Sequence, residues 1–192
     1  MIDISALGGL RPVEPLDLDE YVDSRESFPL PPKGRYTVQA PPEFPAEAWG
    51  RSKANALTVL LNPTIVGGEF DGTRIPFMRV SAKQYERGGV KVSQLGDYLR
   101  ACGIRGRLSD EQAQADAVDQ TVNLLYEMDI DWRAYNKGDK YQVEGMERFP
   151  MNGDGTRQQW IEHPSEKDLD TGEPLRLRAN VFVRRFVPKP KE

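Results

Sequence analysis

Residues 175–187 alternate with a period that only an extended strand satisfies. Leu175, Leu177, Ala179, Val181 and Val183 fall on one side; Arg176, Arg178, Asn180, Phe182, Arg184 and Phe186 fall on the other. In a pleated strand the first set lines a buried sheet face and the second is turned to water. A strand of this kind needs neighbours, and the sequence supplies them. Lys33–Ala40 predicts a half-buried strand with Tyr36, Val38 and Ala40 inward and Arg35, Thr37 and Gln39 outward. Ala56–Val66 reads as one long strand bent at Asn62-Pro63, because an internal proline removes a ladder donor. The turn-rich segment Gly67–Gly72 then returns the chain through Thr73–Ser81 as the second arm of a hairpin. Tyr126–Tyr135 alternates again, with Tyr126, Met128, Ile130 and Trp132 inward and Glu127, Asp129, Asp131 and Arg133 outward.

Helical signals are confined to the middle of the chain. In Ser93–Cys102, Leu95, Tyr98, Leu99 and Cys102 recur at helical spacing after a serine N-cap, and Gly103 suits the left-handed position past the end. A second helix is expected from Ser109, where Ser-Asp-Glu-Gln has capping-box form. With 17 glycines and 15 prolines in 192 residues, a turn-rich β architecture is favoured over a helical bundle. The order of elements predicts a mainly β fold: an OB-like, five-stranded Greek-key barrel, partly open, with one or two helices between the third and fourth strands. A twisted antiparallel sandwich is the competing architecture. Residues 1–32 read as an acidic, Pro-rich flexible arm, 33–187 as a single domain with a long loop at 136–174, and 188–192 as a basic tail.

Charge is segregated. The net charge is −4, but residues 1–32 carry seven acids against two bases, and 74–107 carry eight bases against two acids. Residues 108–131 carry seven acids and no base, and 176–192 carry six bases and one acid. The single Cys102 excludes a disulfide framework, and one histidine, His163, excludes a multi-histidine metal centre. No P-loop and no serine elbow occur. No apolar run reaches the roughly 20 residues of a membrane span, so a soluble, cytoplasmic protein without membrane association is expected.

The outward face of the last strand interleaves guanidinium groups with phenyl rings, a chemistry suited to a single-stranded polyanion: rings stack bases while arginines hold phosphates. On this reading Arg176, Arg178 and Arg184 bind phosphate, Phe182 and Phe186 stack bases, and Arg35, Phe77, Arg79, Lys83 and Arg87 extend the groove. The opposing reading pairs Arg176, Arg178 and Arg184 with Glu127, Asp129 and Asp131 across strands and covers the two rings with a loop. The same three carboxylates raise a second alternative, a divalent-metal nuclease, although no further ligands are identifiable. No cofactor and no resident metal are expected.

Several stretches resemble a family of phage-encoded, OB-fold single-stranded-DNA-binding-like proteins. They are Leu30–Tyr36 at the first strand, Gly68–Ile75 at the hairpin, Val92–Ile104 at the helix and Asp129–Gly138 at the strand after it. The resemblance covers roughly residues 33–138. It implies sequence-independent single-stranded DNA binding and protection in phage replication or recombination, without catalysis, in the host cytoplasm. Replication or recombination proteins are then expected partners for the acidic N-terminal arm. That arm is also expected to fold over the basic groove when DNA is absent. A protein-interaction or assembly module of a virion or replisome is the alternative in a different functional class.

Overall fold

The alternating segments pair with one another in a computed structural model that describes residues 30–76, 78–136 and 140–190. In chain order the strands are β1 (Gly34–Gln39), β2 (Trp49–Arg51), β3 (Leu57–Leu60), β4 (Thr64–Ile65), β5 (Arg79–Ser81), β6 (Tyr85–Arg87) and β7 (Val90–Val92). Helices α1 (Gln94–Ala101) and α2 (Glu111–Asp119) follow, then β8 (Leu125–Tyr135), β9 (Gln142–Glu144), β10 (Trp160–Lys167), β11 (Pro174–Arg178) and β12 (Asn180–Val187). The largest sheet runs β12-β8-β1-β4 with β9 added to the end of β8, and every pairing is antiparallel. A second sheet runs β2-β3-β5. The protein is mainly β, in several antiparallel sheets that do not close into a barrel. No helix among the described residues is long and apolar enough to cross a membrane.

The expected bent strand is two strands in different sheets. At Asn62 the backbone takes φ 39°, and Pro63 cannot donate, so the chain turns a corner from β3 into β4. The hairpin survives the corner because its return arm keeps pace: Leu61 N–H donates to the Met78 carbonyl, Ile75 N–H to that of Pro63, and Ile65 N–H to that of Thr73. Helix α1 begins where its cap predicts, with Ser93 Oγ accepting from the Gly96 N–H at 3.0 Å. It ends at Gly103, which takes φ 88°, while Ile104 N–H returns to the Leu99 carbonyl. The cap of α2 lies one residue later than expected. Asp110 accepts from the Ala113 N–H at 2.8 Å, and Ser109 donates to the Asp110 carboxylate instead of capping. A carboxylate at that position also meets the positive end of the helix dipole.

Two apolar clusters result. The main one holds Val38, Val59, Ile65, Leu95, Tyr98, Leu99, Tyr126, Met128 and Ile130 between the sheets and α1. The smaller one holds Trp132, Ala134, Val143, Phe149, Leu177 and Ala179 at the far end of β8. Two of its residues, Val143 and Phe149, come from the segment expected to be a long loop. Residues 136–174 contain β9, a 3-10 turn at Met146–Arg148 and β10. Strand β10 lacks clean alternation because Pro164 falls within its register shift against β11, which hides it in the sequence.

The last strand also departs from expectation. It is interrupted at Ala179, so Leu175–Arg178 pairs with β10 while Asn180–Val187 pairs with β8. Within β12, Val183 lies opposite Ile130 and Arg185 opposite Asp129, which makes Arg184 an extra residue, a β-bulge. Beyond the bulge the alternation inverts. Arg184 and Arg185 both face out, and Phe186 turns inward opposite Met128, with 7% of its surface exposed. Its ring centroid lies 5.7 Å from that of Tyr98 and 6.2 Å from that of Tyr126. Phe186 is therefore a core residue, not a stacking surface. Replacing it with alanine should cost about 3 kcal/mol of unfolding free energy in a denaturant titration. The same change at half-buried Phe182 should cost about 1 kcal/mol or less.

Candidate functional site

Strands β5 and β12 are both edge strands, and they face each other across a cleft of about 740 Å³ instead of pairing. The hairpin β6–β7 forms a third wall. Its two-residue turn is Gly88-Gly89, both at positive φ (59° and 77°), which suits the twist of a tight hairpin. Residues 81–91 thus form a structured arm. Arg79 comes from β5, Tyr85 and Arg87 from the arm, Arg133 from β8, and Phe182, Arg184 and Arg185 from β12. One carboxylate, Asp97, lies on the lining, and it is bound by Arg100 one turn along α1.

The guanidinium groups differ in how far they are already engaged. Arg184 lies 3.3 Å from Asp131, and Arg185 lies 3.2 Å from Asp129. The carboxylates are the hidden partners: Asp131 and Asp129 side chains are 2% and 28% exposed, against 53% and 61% for the two arginines. Each arginine is held from below and keeps more than half of its surface toward solvent. Arg79 is an exposed residue that hydrogen-bonds Thr58 Oγ1 at 3.1 Å. Arg133 sits 5.3 Å from the Phe182 ring centroid and covers part of that ring. Arg87 is exposed and has no ion-pair or hydrogen-bond partner for its side chain among the described residues. A neighbouring hollow of about 470 Å³ shares Arg87, Arg184 and Arg185 and adds Lys33 and the paired carboxylate Asp129, so cations outnumber acids there too.

Asp131 is the one outward-facing carboxylate of β8 that the structure buries. Its Oδ1 accepts from the N–H of Trp132 and of Met146, both at 2.8 Å, and Oδ2 faces Lys33 and Arg184. Asp129 accepts from Arg35 at 2.8 and 3.4 Å as well as meeting Arg185. The hydrogen bond from Arg35 is the main cause holding the Asp129 carboxyl below its usual pKa. Two of the three carboxylates weighed as metal ligands are therefore committed to cations of the chain itself. Among the described residues no group of three or more His, Cys, Asp or Glu could hold a metal ion.

Of the residues singled out from sequence, Arg79, Arg87, Phe182 and Arg184 come together in the cleft. Phe186 lines its floor as core. Arg176 and Arg178 line a different cleft, at the β10–β11 hairpin. Arg35 is spent on Asp129, Lys83 is exposed but lines neither cleft, and Phe77 lies outside the described residues, as does the acidic arm up to residue 29. Tyr85, Arg133 and Arg185 line the cleft without having been among those residues. Arg185 carried a signal, since an arginine in the inward phase of an otherwise apolar stripe marks a bulge. Trp49 and Arg51 have structural roles: Arg51 makes a two-pronged bond to Glu111, and Trp49 donates to the Phe44 carbonyl. Cys102 is buried, and burial pushes its thiol pKa up to about 12, so it is an inert core residue. No protein-family model, curated protein or solved structure matches the chain.

Because the folded-state pKa of Asp129 is depressed, its contribution to stability is present above the ordinary carboxylate pKa. It is lost as pH falls through the lower folded value, where the unfolded chain binds the proton first. Below about pH 4 the stability of the wild type should fall more steeply with pH than that of Asp129→Asn, read from urea midpoints along an acid series.

Proposed function

We propose that the protein binds single-stranded DNA without sequence preference, protecting it during phage replication or recombination, and that it does so as a non-enzymatic, OB-like module. The cleft between β5, the β6–β7 arm and β12 carries this reading: five guanidinium groups and two accessible rings converge there, with one lining carboxylate that is already paired. Phosphates would be held by Arg79, Arg87, Arg133, Arg184 and Arg185, and a base would stack on Tyr85 or Phe182. Tyr85 is 46% exposed and lines the cleft, so its ring is accessible to a base.

Support for the OB-like part comes from strand order. Walking from the hairpin's return arm, the sequence is β5, then β3 with β4, then β1, β8 and β12, with α1 placed between the third and fourth of these in the chain. A five-stranded Greek-key barrel open between its third and fifth strands would have this order, and on the proposed reading the cleft would be that seam.

An oligothymidylate mobility-shift titration tests the reading. Retardation is expected, and log affinity should fall with log salt by about 0.7 per phosphate neutralised. Arg87→Ala should lower affinity and reduce that slope by about one contact without changing thermal stability, because Arg87 supports nothing in the fold. A discrete oligomer with no retardation would instead favour the assembly module. Magnesium-stimulated cleavage lost in Asp129→Ala would favour the nuclease.

The arm belongs to the same proposal. Residues 1–29 carry seven acids against two bases and join the described chain at Leu30, which lies on the rim of the Arg176 cleft. Removing residues 1–28 should raise DNA affinity several-fold at low salt, by abolishing an intramolecular competitor at high effective concentration. Unchanged or lower affinity would count against that role for the arm.

A further inference from the structure

The β10–β11 hairpin carries a second positive cleft, of about 820 Å³, whose lining contains Trp160, Arg157, Arg176 and Arg178 and no carboxylate. Two of its features are unusual for a structural surface. Arg157 is half-buried, and its guanidinium hydrogen-bonds the carbonyls of Glu147 and Phe149 at 3.1 and 2.7 Å. Carbonyl dipoles orient that cation but do not cancel it, so a net positive charge is built into the cleft wall. Trp160 is half-buried beside it, with the Arg176 guanidinium 4.3 Å from its ring centroid. The cation fixes the indole and adds charge at the same point. A rigid ring set among three arginines has the chemistry of a stacking platform for a base whose flanking phosphates are held.

We infer that this cleft is a second station on the path of the bound strand, with a base against Trp160 and phosphates on Arg157, Arg176 and Arg178. The inference rests on the single-strand reading above and extends it along the protein. The two clefts are joined by one run of chain. Phe182 lines the first and Arg178 the second, four residues apart, which even in extended backbone is at most roughly 13 Å. A strand lying in the open seam and following β12 backwards therefore reaches the Trp160 cleft within a few nucleotides. Glu162, opposite Arg176 in the hairpin register, is exposed and outside the lining, so it does not close the site.

Full-length protein and its Trp160→Ala and Trp160→Phe variants, each checked by thermal melting, would be titrated with oligothymidylates of about 5 and about 15 nucleotides, the range one such domain covers. The longer oligomer should bind the wild type more tightly and quench indole emission. Trp160→Ala should bind it about tenfold more weakly while binding the shorter one as wild type does. Trp160→Phe, which keeps a ring and so keeps the fold, should retain most of the affinity but lose the quench specific to the longer oligomer. Wild-type binding of both lengths by Trp160→Ala, or an unaltered quench in Trp160→Phe, would overturn the second station and leave the first cleft standing. Failure of the wild type to bind either oligomer would overturn both.

Discussion

One extra residue in β12 sets the character of the whole molecule. If β12 kept its alternation past Val183, Arg185 would point into the sheet interior and Phe186 to water. The bulge at Arg184 exchanges them. Phe186 then completes a cluster with Tyr98 of α1 and Tyr126 of β8, whose ring centroids are 5.3 Å apart, and this ties the last strand to the helix through aromatic edges. The same displacement places two adjacent guanidiniums on the outer surface, where strict alternation would have allowed one. Core packing and surface charge are therefore two consequences of a single backbone irregularity, and neither could be altered without the other.

The charge distribution along the chain acquires a spatial meaning from β8. Asp129 and Asp131 lie under the arginines of β1 and β12, so two acids of the stretch 108–131 anchor part of the basic surface. Asp131 is the deepest case. A carboxylate 2% exposed would be strongly destabilising if left alone, yet two backbone N–H groups and two cations satisfy its oxygens. Its bond from Met146 also fastens the segment after β9 to the main sheet, and so helps to position the smaller core. The tail expected after residue 187 is drawn in similarly, for Arg105 donates to the Lys189 carbonyl at 2.6 Å and Lys189 N–H approaches that of Arg100.

Much of this was legible before the coordinates. Strict periods, as in Tyr36–Ala40, Tyr126–Ala134 and the α1 face, reflect burial on one side of a regular element, and those residues are buried or half-buried as their phase requires. What escaped was every irregularity that resets a phase. The bulge at Arg184, the interruption at Ala179 and the proline within β10 each shift the register by an amount that composition does not encode. The candidate site lost one residue to the bulge: Phe182 and Arg184 kept their outward placement, while Phe186, beyond it, did not. The Gly88-Gly89 turn was different. Its two-glycine signature for a tight hairpin was present in the sequence, masked by the polar and basic residues around it.

The open seam poses a problem that its own side chains answer. Two unpaired strand edges facing each other invite either mutual pairing or the addition of a foreign strand. Here β5 contributes Arg79, and β12 contributes Arg184 and Arg185 before Pro188 ends the edge. Like charges on the facing edges oppose closure of the seam onto itself, and bulge and proline spoil the ladder that an incoming β-strand would require. The partner that gains most from such a gap carries negative charge along its length and asks for no backbone ladder. An extended phosphodiester chain has both properties. On the proposed reading, the charges that oppose closure of the two edges would draw such a chain into the gap, and the paired carboxylates beneath would fix where those charges point.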